Sequence, residues 1–167
     1  MTVRSLLAAL LCLSAAPACA GGFALRDLTA VADEAGAALG RGYAARAAPE
    51  RLTLMCTTCE SAPIVDLLLG RQADGTEERV RTGRTSLAQL EDLCRSRSPD
   101  CRLSGLSVDP AVGWVTTYGI GSSAGATAVI LRDGDLLTIR ALAGSREVAA
   151  RQVEILARRI APRIVGR

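Results

Sequence analysis

Histidine, lysine and asparagine are all missing from this 167-residue chain, and each of its 20 basic residues is arginine. Without an imidazole, no side chain is poised by nature to exchange a proton near neutral pH. A Ser–His–Asp or Cys–His arrangement therefore cannot be assembled within the chain. Without lysine there is no Schiff-base nucleophile and no phosphate-gripping loop of the Walker type. Aromatic residues are nearly absent as well: Phe23, Tyr43, Trp114 and Tyr118 are all there are. The arginines are scattered among 17 acidic residues. A basic patch with interleaved stacking rings is thus lacking, and nucleic acid is not an expected partner. Long apolar runs are missing too. Ile64 to Leu69 is broken by Asp66, and Ala124 to Leu131 stops at Arg132, both far short of the roughly 20 residues that cross a bilayer. The bias toward Arg, Ala and Gly over Lys and Asn is the mark of a GC-rich coding sequence.

What is present begins with an address. Arg4 gives a short positive start, Leu6 to Leu13 form an apolar run, and Ala18-Cys19-Ala20 has the small-x-small pattern cut by leader peptidases. Residues 1–20 are therefore expected to be a signal peptide, which directs the protein to the periplasm or outside the cell. Cleavage after Ala20 leaves 147 residues and, with Arg4 gone, a charge of +2. A second reading puts a lipid on Cys19, which follows Ala16-Pro17-Ala18. That pattern wants a large aliphatic residue where Ala16 stands. Only with that lipid would the membrane become a partner. A third reading makes the segment a buried N-terminal helix.

The mature chain divides into an Ala/Gly-rich N-terminal arm or helix over 21–47 and a single α+β domain over 48–167. Leu25, Leu28, Val31, Ala35 and Leu39 recur at helical spacing, so a helix is expected near Asp27–Leu39. Arg51 to Cys56 alternates as a strand, with Leu52, Leu54 and Cys56 on one face. Ile64 to Gln72 forms a second strand, and Asp74-Gly75 a turn leading to a more polar strand over Glu77–Thr82. Glu77 and Glu78 with Arg79, Arg81 and Arg84 make a solvated mixed-charge face.

Ser86 and Gln89 fit a helix capping box, with Leu87, Leu90, Leu93 and Cys94 on one side of the helix that follows. Trp114–Ile120 is a strand with Trp114, Thr116 and Tyr118 on one face. Asp133-Gly134 is a two-residue hairpin turn. It sets Leu131 opposite Leu136, Ile130 opposite Leu137 and Ala128 opposite Ile139. Both faces of that hairpin are apolar near the turn, so both are expected to be covered, or one to be a contact surface. A final helix is capped by Ser145, with Ala149, Val153, Leu156 and Ile160 as one apolar stripe. The expected fold is α+β: a mainly antiparallel sheet, an inserted short helix, and a C-terminal helix packed on it.

Four cysteines survive removal of the leader: Cys56, Cys59, Cys94 and Cys101. Three pairings are open. The polar, proline-bearing loop between Cys94 and Cys101 suits a local staple, which leaves Cys56 to pair with Cys59; a cross-link from the first strand to the Cys94 helix is the alternative. Cys56-Thr57-Thr58-Cys59 also has redox spacing and could, as thiols, hold Cu(I) or form half of a zinc site. Gly119-x-Gly121-x-x-Ala124 mimics a dinucleotide turn, but a strand-like run follows it, so a hairpin loop is expected.

The strand leading into Cys56-Thr57-Thr58-Cys59, with Pro63 beyond it, is similar to the active-site segment of a thioredoxin. Thr127 to Asp135 and the closing helix look like the last hairpin and helix of that family. The resemblance covers about a third of the chain and implies Cys56 as attacking thiol and Cys59 as resolving thiol. It departs from the family at Gly125-Ala126, where a thioredoxin carries a cis-proline, and no tryptophan precedes Cys56.

Taken together, the residues favour a non-enzymatic, exported binding or assembly factor stabilised by disulfides, whose partner is another exported protein. No cofactor and no resident metal are expected. The rival readings are a periplasmic thiol–disulfide oxidoreductase using Cys56 and Cys59 and, behind it, a copper-handling protein.

Overall fold

A computed structural model describes residues 21–59 and 62–167; the expected signal peptide over 1–20 and the Cys19 lipidation site lie outside them. The fold is α+β, built on one seven-stranded, wholly antiparallel sheet. A 3-10 turn, Leu28–Val31, runs into helix α1 (Ala32–Leu39). Strands β1 (Tyr43–Ala48), β2 (Arg51–Cys56) and β3 (Ile64–Arg71) follow. Helices α2 (Thr76–Arg81) and α3 (Leu87–Arg97) intervene before β4 (Arg102–Gly105), β5 (Val112–Ile120), β6 (Ser123–Arg132) and β7 (Asp135–Ala143). Helices α4 (Arg146–Arg159) and α5 (Ala161–Val165) close the chain. The strand order is β1-β2-β3-β7-β6-β5-β4.

The sheet is therefore two meanders joined where β3 meets β7. The α2–α3 insertion separates them in sequence, and β7 returns to the middle of the sheet. The β6–β7 register is the expected one, with Leu131 opposite Leu136, Ile130 opposite Leu137 and Ala128 opposite Ile139. At the turn, Asp133 and Gly134 both take positive φ (51° and 79°), as a two-residue hairpin with the right twist requires.

Period-2 alternation sends Leu52, Leu54, Val65, Leu67, Leu137, Ile139, Ala126, Ala128 and Ile130 to one face, where all are fully buried. Helix α4 lies on that face across β6 and β7. Its stripe of Ala149, Val153, Leu156 and Ile160 is shut off from solvent, and Ser145 accepts a hydrogen bond from the Val148 N–H at 3.3 Å. Val153, Leu156 and Ile160 each contribute about 1.5–3 kcal/mol when taken out of water. Helix α1 packs beside α4. Leu28, Val31 and Ala35, from the Ala/Gly-rich N-terminal stretch, are as deeply buried as any residue of the core.

Three features differ from expectation. Glu77–Thr82 is not a strand: the segment is α2. Asp74 accepts from the Thr76 N–H at 3.0 Å and so starts a helical turn, which Glu77 and Arg81, paired at 2.8 Å, then hold one turn apart. Val80 is its only β-branched interior residue, so little opposes the helix. Strand β1, Tyr43–Ala48, begins inside the arm expected over 21–47 and ends at the first residue of the expected domain. Its alanines have poor strand propensity, and pairing with β2 through the Pro49-Glu50 turn overrides that. Four-residue β4 was also not foreseen; it forms an edge strand beyond Cys101. Helix α3, by contrast, starts as expected, with the Ser86 Oγ accepting from the Gln89 N–H at 3.2 Å and the Gln89 side chain accepting from the Ser86 N–H at 2.8 Å.

Candidate functional site: the open face of the sheet

The opposite face of the sheet has no helix comparable to α4. Helix α3 packs against β4 and β5 at one end, where Leu87 reaches Gly105. Near the β6–β7 turn, Glu77 of α2 accepts from the Gly134 N–H at 3.1 Å, and Leu131 is fully buried. Both faces of that hairpin are thus covered close to the turn. Away from it, over β1, β2, β3 and the middle of β7, the face is open.

The registers set one row across this face: Arg46, Thr53, Asp66, Arg140, Thr127, Thr116 and Leu103. Asp66 is the one acidic residue in it. Only 7% of this residue is exposed. Thr53 Oγ1 donates to it at 2.6 Å and Arg51 at 3.1 Å, while Arg140 stands 3.5 Å from its second oxygen. Burial alone raises the Asp66 pKa, but the Thr53 and Arg51 hydrogen bonds and the charges of Arg51 and Arg140 outweigh it. The net effect holds the carboxyl below its ordinary value. Farther along, Tyr118 and Thr127 share a hydrogen bond at 3.0 Å. The Tyr118 ring lies flat over Gly125, where a Cβ would come within 2.5 Å of it. Residue 125 therefore has to be glycine for the ring to lie there.

Charge on this face is one-sided. Among the strand residues that point to it, Arg46, Arg51 and Arg140 face a single carboxylate, Asp66. Arg51 and Arg140 each remain about half exposed while touching that carboxylate. Arg46 has no carboxylate partner among the described residues and stands on the edge strand. Beside this belt runs an apolar row: Met55 opposite Ile64, then Leu142. Met55 is 42% exposed and Ile64 37%.

The cysteines form two disulfides, Cys56–Cys59 and Cys94–Cys101. The first ties the end of β2 to its own outgoing loop. The second ties α3 to the start of β4. Cys56 is buried, and Cys59 is exposed. The next element described after Cys59 is strand β3 rather than a helix. In this oxidised form neither sulfur of the pair is a free thiolate for a metal. Gly119-x-Gly121-x-x-Ala124 is the tight β5–β6 hairpin. Asp135, just past the Asp133-Gly134 turn, is a polar hub. Asp135 is 4% exposed and accepts from the Phe23 N–H at 2.8 Å, from Arg26 at 2.7 Å and from Arg71 at 2.8 Å.

Sequence reasoning singled out the hairpin and missed the belt, although its signal was there. Asp66 interrupts an otherwise apolar strand at the phase opposite to Val65 and Leu67. Arg140 interrupts β7 at the same phase. Two opposite charges at matching phases of two central strands point to one cross-strand pair.

The geometry thus defines an antiparallel α+β protein with one helix-covered sheet face and one partly open, arginine-bearing face. The chain matches no protein-family model and no curated protein sequence.

Proposed function

We propose that the protein is an exported, non-enzymatic binding factor, delivered by the leader over 1–20 and stabilised by its two disulfides, and that its open sheet face receives an acidic surface of another exported protein. The observation that carries this reading is the charge imbalance on a sheet face with no helix over its centre. Three arginines converge there, and the one carboxylate among them is already fully engaged. Arg51 and Arg140 keep outward-facing N–H donors, Arg46 is uncommitted, and guanidinium groups are suited to bidentate capture of carboxylates. The exposed Met55–Ile64 pair adds apolar area of the kind that anchors an interface, with a charged rim beside it. The partner is therefore a protein presenting acidic side chains around an apolar contact.

A photo-crosslinking residue in place of Thr138, at the middle of the face, tests this in the exporting cell. The expected product is a single hetero-adduct with an acidic protein, lost when Arg46→Glu is introduced. An adduct of twice the chain's own mass would make the occupant a second copy and refute the proposed partner. No adduct, or one insensitive to Arg46→Glu, would also refute it.

A further inference from the structure

The first residues after the expected leader do not trail from the fold. The Gly22 N–H donates to Asp133 Oδ2 at 2.9 Å and the Phe23 N–H to Asp135 Oδ2 at 2.8 Å. The Ala24 and Leu25 N–H groups donate to the carbonyls of Val165 and Ile164 at 3.4 and 3.1 Å. Phe23 is buried. Gly22 sits at φ 104°, and a Cβ there would come within 2.4 Å of Asp135 Oδ2, so only glycine fits. Gly21 is exposed, yet a Cβ built on it would lie 3.1 Å from Asp133 Oδ2. Ordinary bond lengths then hold the Gly21 nitrogen within about 6 Å of that oxygen. Independently, the sequence puts the leader junction between Ala20 and Gly21.

We propose that hydrolysis of the Ala20–Gly21 bond is the maturation step of this protein, and that the Asp133-Gly134 turn is the receiving site for the ammonium group it frees. Under a leader peptidase, water adds to the Ala20 carbonyl and the C–N bond breaks. Ala20 keeps a carboxylate, and the Gly21 nitrogen takes up protons to become an ammonium. Before the cut that nitrogen is a neutral amide with one N–H. After it, the nitrogen carries a full charge and three donors within about 6 Å of Asp133 Oδ2, a carboxylate that otherwise faces, among the described residues, only Arg132 Nε, at 3.6 Å, and the Gly22 N–H. Glycine at 21 lets the group swing toward the carboxylate. Because the chain has no lysine, this is the one ammonium on the processed protein, and every other cationic side chain is a guanidinium. The inference rests on the export reading but not on the open sheet face.

The same absence makes the test clean, since an amine acylating reagent can react with the processed protein only at Gly21. The pH dependence of its rate gives the pKa of the α-amine. The expected result is a titration above the ordinary α-amine range of about 7.7–8.0. Asp133→Asn should return it to that range, because Asn-Gly keeps the hairpin turn while the carboxylate charge, which Arg132 also faces at 3.6 Å, is lost. High salt should also lower it toward that range. Identical, ordinary titrations in the two chains would overturn the receiving site. The intact mass of the chain taken from the exporting cell tests the cut separately. A start at Gly21 is expected, and a lipid-bearing Cys19 or an uncut Met1 would overturn the maturation step and the soluble-export route together. A chain cut at Gly21 in vitro would still report on the amine, and loss of the Thr138 cross-link would affect neither result, so the failures are distinguishable.

Discussion

One sheet presents two faces made by the same alternation, and they differ in what they ask of their residues. The face under α4 is a field of Leu, Ile, Val and Ala, most of it inaccessible to water, with charge at its margin, where Arg71 and Arg132 stand opposite Asp135. The other, at the same registers one residue out of phase, is crossed by Arg46, Thr53, Asp66, Arg140, Thr127 and Thr116. A polar belt adds little to a core, and burial of Asp66 costs desolvation that its three partners must offset. Stability therefore resides on the helix side, while the open side retains chemistry that a purely structural sheet could do without.

The largest break in that contrast should come from the covered face. Ile139→Ala removes a fully buried side chain at the β7–α4 contact and should cost about 3–4 kcal/mol in denaturant unfolding. Replacing Cys94 and Cys101 together by alanine should cost about 2.5 kcal/mol, and replacing Cys56 and Cys59 about 2 kcal/mol, since both loops are short. On the open face, Asp66→Ala should cost about 1.5 kcal/mol, from lost charge-assisted hydrogen bonds. Met55→Ser should change stability by less than about 0.5 kcal/mol; a loss near 2 kcal/mol would assign Met55 to a core and erase the contrast.

Acidity probes the belt from another side. The folded-state pKa values of Asp66 and Glu77 are both depressed. For Glu77, burial raises it but is outweighed by hydrogen bonds from Arg81 and the Gly134 N–H and by the charge of Arg81. The stability these carboxylates contribute is complete above their unfolded pKa values, near 4, and is lost as pH falls through the lower folded values. With no histidine in the chain, unfolding free energy should be flat between about pH 5 and 7. A step in that window would contradict the assignment.

Much of the fold was legible from local rules that tertiary context happened to respect. The Asp133-Gly134 hairpin register, the Ser86–Gln89 capping box, the α4 stripe and the local disulfide pairing each follow from a few adjacent residues. The misses share a cause. Strand β1 is alanine-rich and becomes a strand only because β2 offers a partner. Helix α2 is short and charged, so its pattern fits either period. The belt was the least legible, because Arg46, Arg51, Asp66 and Arg140 are unremarkable singly. They converge only once β3 is known to pair with β7 and β2, a contact between residues some 75 positions apart.

The division of labour between the faces is tested most directly by measuring one variant in two ways. Arg46→Glu should leave the melting temperature of the processed protein unchanged, because Arg46 is exposed and carries no ion pair among the described residues. The same substitution should abolish the Thr138 cross-link to an acidic exported partner. A cross-link that survives charge reversal, or a melting temperature that falls with it, would contradict the assignment of the open face to binding rather than to stability.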